Sequence, residues 1–147
     1  MKYFVLNLIK KLSLFCIALV LSFWMLGPLE PAKIDVSFDS KFLGENLNVY
    51  LSTKEKIYND ITEGVEKRII WFNKVGKKTP LSVIYIHGFS ATSEEVRPVP
   101  DQIANSLKAN LFYTRLTGHG RGPMAMSKPR VSDWMTDVAE AIAIGRR

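Results

Sequence analysis

The chain has 147 residues, enough for one domain of ordinary size, and 47% of them are apolar, so a packed core is within reach. Its 20 basic and 14 acidic residues leave a formal charge of +6. Beyond Lys2, Lys10, Lys11 and the pairs Lys77-Lys78 and Arg146-Arg147 the basic residues are scattered, with no basic stripe interleaved with aromatics, so nucleic acid is not an expected partner. One cysteine, Cys16, cannot form an intrachain disulfide, and two histidines without a cysteine cluster make no zinc signature.

Leu12 to Leu29, "LSLFCIALVLSFWMLGPL", carries no charge. As a helix it would reach roughly 27 Å, close to the hydrocarbon thickness of a bilayer. Lys10 and Lys11 precede it, which by the positive-inside rule leaves the N-terminus in the cytoplasm. Trp24 lies near the far end, where an interfacial aromatic is expected, and Gly27-Pro28 ends the helix. The exit "FWMLGPLEPAK" lacks the small residues of a cleavage site, which favours an uncleaved signal anchor over a cleaved signal peptide. Bulky residues ahead of Cys16 argue against lipoprotein processing there. The expected location is therefore membrane-anchored through residues 12–29. The globular part would lie outside the cytoplasm, on the periplasmic side in a bacterium.

Glu30 to Ser40 looks like a linker leaving the membrane. Leu43 to Leu51 is ambiguous: Leu47, Val49 and Leu51 alternate as in a short strand, and Thr53 to Val65 reads as a loop or short helix. "KRIIWFNK", Lys67 to Lys74, and Leu81 to Ile86 are both β-rich. With the turn residues Gly76 to Pro80 between them they predict an antiparallel hairpin. Val99, Ile103, Ala104 and Leu107 space as one face of a helix over Pro98 to Ala109, with Asn110 as its stop. "LFYTRL", Leu111 to Leu116, predicts another strand, followed by a Gly/Pro-rich loop from Thr117 to Pro129. Ser132 can cap a last helix with Asp133 in its first turn, and Trp134, Val138, Ala141 and Ile142 line one face. A strand-helix-strand unit with this crossover makes a parallel pair, so the fold class is α/β.

Two loops carry the chemistry. "VIYIHGFSAT", Val83 to Thr92, runs a buried strand into His87-Gly88, at the carboxyl end of the strand, beyond which ligands of parallel sheets bind. Gly88 permits a sharp turn and close approach of a ligand. N–H groups in that turn, beginning with Phe89, can aim at the oxygen that becomes negative when an ester carbonyl is attacked. "RLTGHGRG", Arg115 to Gly122, repeats the pattern after the next strand, with Gly118 and Gly120 around His119. Pro123 stands where a dinucleotide fingerprint needs its third glycine, so no nucleotide cofactor is expected, and no metal. Both histidines are expected to order the loops through fixed hydrogen bonds.

The strand ending "IYIHGFSAT", the intervening helix and the strand running into "RLTGHG" together resemble the α/β-hydrolase family, in particular its carboxylesterase and monoacylglycerol-lipase-like members. The resemblance spans about Ile69 to Arg147. It implies one oxyanion-hole N–H from Phe89, with His87, Gly88, Gly118, His119 and Gly120 shaping the site. It also implies that "SDWMTDVAEAI" is the helix before the nucleophile strand. That strand would flank Leu81–Ile86 on the side opposite Leu111–Leu116.

The sequence holds no Gly-x-Ser-x-Gly elbow; "GFSAT" has Thr92 in place of the second glycine and follows the wrong strand. The nucleophile, acid and base of the family are not among these residues. The expectation is thus the N-terminal part of a membrane-anchored serine hydrolase of esterase/lipase type, with a small ester as substrate once the chain is completed and no activity alone. The segments would be an anchor at 1–29, a linker and extension at 30–66, and a truncated hydrolase domain at 67–147. An open apolar edge at "VIYI" would make the soluble part aggregation-prone by itself. The alternative is a non-catalytic anchored binding or interaction remnant of the same fold.

Overall fold

The structure is a computed structural model and describes residues 2–30 and 36–147. The expected linker at Glu30 to Ser40 falls in part on residues 31–35, outside the described residues. The chain divides into an N-terminal unit and a second unit that holds all the remaining elements.

The N-terminal unit is one helix, α1, Lys2–Leu26. It is long and apolar enough to cross a membrane, a property that a signal sequence in the same position shares. None of its residues is buried against protein. It starts ten residues before Leu12, so Lys10 and Lys11 are themselves helical and still precede the uncharged stretch that begins at Leu12. Nothing in Lys2 to Lys11 interrupts a helix: the segment has no Pro and no Gly. At the other end the Gly27 N–H still closes on the Phe23 carbonyl at 2.8 Å, and Pro28 has no N–H to carry the ladder on.

The second unit is α/β. After a 3-10 turn at Ser40–Leu43 come α2 (Leu47–Glu55), β1 (Arg68–Ile70), β2 (Ser82–Tyr85), α3 (Val99–Ser106), β3 (Asn110–Tyr113), α4 (Pro123–Met126) and α5 (Val131–Arg146). The ambiguous segment from Leu47 to Leu51 is helix, not strand. Asn46 caps it, its Oδ1 accepting the N–H groups of Asn48 and Val49 at 3.0 and 3.2 Å. Leu47, Leu51 and Glu55 recur every four residues on its buried side, while Val49 faces out. Alternation over five residues had concealed this i, i+4 pair.

The sheet has three strands in the order β1-β3-β2, with β1 antiparallel and β2 parallel to β3. Ile69 and Ile84 both register on Phe112, one from each side. The predicted hairpin of β1 with β2 is therefore not formed; β3 lies between them. β3 has the most fully buried side chains, Leu111, Phe112 and Tyr113, and the central position is the one covered on both edges and both faces. Asn110 secures the arrangement. Its N–H donates to Thr79 Oγ1 at 3.0 Å, its Nδ2 to the Lys77 carbonyl at 2.9 Å, and its Oδ1 accepts the Phe72 N–H at 3.0 Å. Asn110 is thus the first residue of a strand and not the end of the helix. The helix exits through Lys108, which takes a left-handed φ of 52°.

Leu43, Leu47 and Leu51 pack with Phe112, Ala141 and Ile144 on one face of the sheet; Ala104 packs with Leu111 and Tyr113 on the other. The helical faces differ from those the spacing predicted. α3 buries Pro100 and Ala104 and leaves Val99, Ile103 and Leu107 exposed. α5 buries Asp137, Glu140, Ala141 and Ile144, while Ile142 is exposed. Two carboxylates can occupy that inner face because each finds donors there. The α5 N-cap is Arg130, not Ser132; Asp133 Oδ2 accepts the Arg130 N–H at 2.8 Å.

Candidate active site

β2 and β3 are parallel neighbours, so the loops that leave their carboxyl ends start side by side. The first holds His87 to Ser90 and the second Arg115 to Gly120. Both histidines are buried. His87 Nε2 accepts the Leu116 N–H at 3.0 Å, and its Nδ1 lies 2.9 Å from the Gly88 carbonyl. His119 Nε2 accepts the Ser90 N–H at 3.1 Å, and its Nδ1 lies 3.3 Å from the Thr117 carbonyl. In each ring Nε2 is the acceptor and Nδ1 faces a carbonyl, so the proton sits on Nδ1. Burial, followed by the nearby His119 and Arg115, holds the His87 pKa below the usual histidine value, against the opposing pull of the Gly88 carbonyl and Asp137.

Gly118 and Gly120 both take left-handed φ values, 83° and 63°. A Cβ at Gly118 would lie 2.5 Å from Pro129 Cγ and 2.8 Å from the Ala125 carbonyl; one at Gly120 would lie 2.6 Å from Val65 Cγ2. Gly88 opens the expected tight turn, its carbonyl accepting the Ala91 N–H at 3.2 Å. It is not left-handed, and a Cβ there meets nothing within 4 Å. The left-handed residue of this loop is Ser90, with φ 61°, which aims its N–H at His119. The open space at Gly88 leaves room for a ligand near the main chain. Among the described residues no acceptor takes the Phe89 N–H. The exposed Phe89 ring meets His119 and Trp134 edge-on at centroid separations of 6.1 and 5.9 Å.

The second loop is clamped from below by charges that the sequence reading did not single out. Arg115 donates from Nε and Nη2 to the two Glu55 oxygens at 2.8 and 2.9 Å, and from Nη1 to the His119 carbonyl at 2.9 Å. Asp137 Oδ2 accepts the Thr117 N–H at 2.6 Å, and Trp134 Nε1 donates to the Thr117 carbonyl at 2.9 Å. Lys67 Nζ donates to Asp137 Oδ1 at 3.0 Å and also to Glu140, which accepts the Tyr50 hydroxyl as well. Burial alone would push the Lys67 pKa down, but Asp137 and Glu140 outweigh it and hold the ammonium charged above its usual range. Tyr50 is pushed up, by burial first and then by Glu140. A cleft of about 400 Å³ opens onto this network between Phe42, Tyr58 and Thr136. The available signal was two acids on the inner side of α5 and an arginine closing an apolar strand.

No protein-family model and no curated protein matches this chain. Among the described residues no group of three or more His, Cys, Asp and Glu side chains is placed to hold a metal ion. The two loops are tied to each other through backbone N–H groups that donate to His87 and His119. Fixed backbone N–H groups of this kind can stabilise a developing anion.

Proposed function

We propose that these residues form the oxyanion-loop half of a membrane-anchored serine hydrolase of esterase/lipase type, acting on carboxylic esters. The observation that carries the reading is the reciprocal pair of bonds, His87 to Leu116 and Ser90 to His119. They fix two glycine loops against each other at the carboxyl ends of adjacent parallel strands, while the Phe89 N–H has no acceptor among the described residues. The strand order supports it too. β2 pairs with β3 on one side, and its other side is where a nucleophile strand would add. α1 supports the anchor, and Lys10 and Lys11 support a globular part outside the cytoplasm.

In this reading a serine on the adjoining strand attacks the ester carbonyl, and Phe89 donates to the oxyanion. Neither His87 nor His119 is the base, because each Nε2 already accepts a backbone N–H. Residues 1–147 supply no nucleophile elbow, so alone they turn over no ester.

The test begins with the coding sequence past codon 147. A frame that continues into a strand and Gly-x-Ser-x-Gly is expected, and its product should hydrolyse p-nitrophenyl butyrate. Phe89→Pro, which deletes the N–H, should then lower kcat by roughly 10²–10³-fold with little change in KM. A stop with no such motif, and no turnover, would leave the non-catalytic binding reading in its place.

A further inference from the structure

Phe42 in the 3-10 turn, Val49 on α2 and Ile57 just beyond it are 73%, 59% and 69% exposed. They line one groove of about 470 Å³ with Leu43, Tyr50 and Lys54. The exposure of Val49 is fixed by the helix. Val49 lies two residues, about 200°, from both Leu47 and Leu51, so α2 cannot bury it without pulling those leucines from the core. Lys41 and Lys56 adjoin Phe42 and Ile57 in sequence, and Lys54 stands 5.8 Å from the Tyr50 ring centroid. The acids nearby are Glu45, at the groove edge, and Asp39, which accepts the Lys41 N–H at 2.9 Å; Glu55 is buried against Arg115, and Glu140, which accepts the Tyr50 hydroxyl, is buried against Lys67. Exposed apolar side chains bordered by lysines are the composition of a surface that rests in the headgroup region of an anionic bilayer. Chain length favours the same partner. Phe42 follows Leu26, the last residue of α1, by sixteen positions, at most about 58 Å of chain. A membrane-inserted α1 would keep the groove at high effective concentration near lipid.

We propose that this groove is a lipid-docking surface, with Phe42, Val49 and Ile57 entering the headgroup–acyl boundary and Lys41, Lys54 and Lys56 meeting lipid phosphates. The inference rests on α1 as a membrane segment and not on the hydrolase reading. It places the second unit on the membrane through its α2 side instead of leaving it free on a tether.

The single cysteine makes the test clean. The full chain is reconstituted at one copy per nanodisc, in an equal mixture of phosphatidylglycerol and phosphatidylcholine, and labelled with an environment-sensitive fluorophore. Native Cys16 reports α1; Val49→Cys in a Cys16→Ser background reports the groove; Asn105→Cys in the same background is an exposed control on α3. The expected result is a blue-shifted Val49 label, quenched by nitroxide lipids and shielded from aqueous iodide, beside an iodide-accessible Asn105 label. Changing Lys41, Lys54 and Lys56 together to Glu should reverse the Val49 shielding. A shielded Cys16 label with a Val49 label as open to iodide as Asn105 would overturn the docking and leave the anchor standing. An iodide-accessible Cys16 label would overturn both. Shielding at Val49 that appears only with two copies per disc would overturn lipid docking in favour of self-association.

Discussion

The rings of His87 and His119 lie 4.8 Å apart, and each Nε2 accepts a backbone N–H from the loop that carries the other. Protonation of His87 at Nε2 would remove an acceptor, strand the buried Leu116 N–H and set a cation near Arg115. The His87 pKa is lowered in the folded chain, so the folded state binds fewer protons than the unfolded state near that value. Its contribution is therefore fully present above the ordinary histidine value of 6.5 and is lost as pH falls through that value toward the lower folded one. Thermal melts of the full chain in detergent at stepped pH should show this loss. In His87→Gln, whose amide oxygen can still accept the Leu116 N–H, the difference between pH 7.5 and 5.5 should shrink. An identical slope in the variant would remove His87 from the account.

The Arg115–Glu55 pair is bidentate and nearly closed to solvent, with side chains only 4% and 9% exposed. Glu55→Gln leaves the guanidinium buried without its counter-charge, which costs about 3–5 kcal/mol. Arg115 also holds the His119 carbonyl, so the loss should reach the second loop. Urea titration should show the lowered midpoint, and trypsin should cut faster after Arg121. Arg115→Lys keeps the charge and loses the fork, so its loss should be smaller.

Much of this was legible in the sequence, for reasons that can be named. β2 and β3 are short apolar runs broken by Gly-rich turns, and α3 and α5 have enough length to show a helical period. Their adjacency followed from the crossover rule, and the two loops followed from His87-Gly88 and Gly118-His119-Gly120. What failed was partnering. Local pattern cannot tell that β3, not β2, pairs with β1, because that depends on which strand is buried most. α2 was concealed because Leu47 and Leu51 satisfy both a period of two and a spacing of four. The clamp beneath the second loop was invisible because Asp137 and Glu140 read as surface charges until Lys67 and the Thr117 N–H are brought to them.

Gly120 and Gly88 should respond oppositely to the same added methyl. Gly120→Ala forces a left-handed Ala, costing about 1–3 kcal/mol, and adds a contact 2.6 Å from Val65 Cγ2. Gly88→Ala meets no atom and no left-handed backbone, so its effect on melting should be near zero. Val65→Ala in the Gly120→Ala background should recover the steric part and not the backbone part. Equal melting losses for the two single variants would contradict the loop geometry.

Within the described residues β2 hydrogen-bonds to one neighbour only, and Leu81 and Ile86 at its ends are exposed. No charged residue occurs from Leu81 to Ile86, so the strand has none of the edge lysines that discourage pairing with another chain. Leu81→Lys with Ile86→Lys should suppress self-association without touching Val83 or Tyr85, which pack near Ala104 and Tyr113. Surface changes of this kind alter stability by no more than about 0.5 kcal/mol. Light scattering of the full chain in detergent should therefore fall while the melting temperature stays in place. Scattering that persists in the double variant would point to another surface as the source of association, and the exposed stripe Val99, Ile103 and Leu107 on α3 is where the same substitution would be tried next.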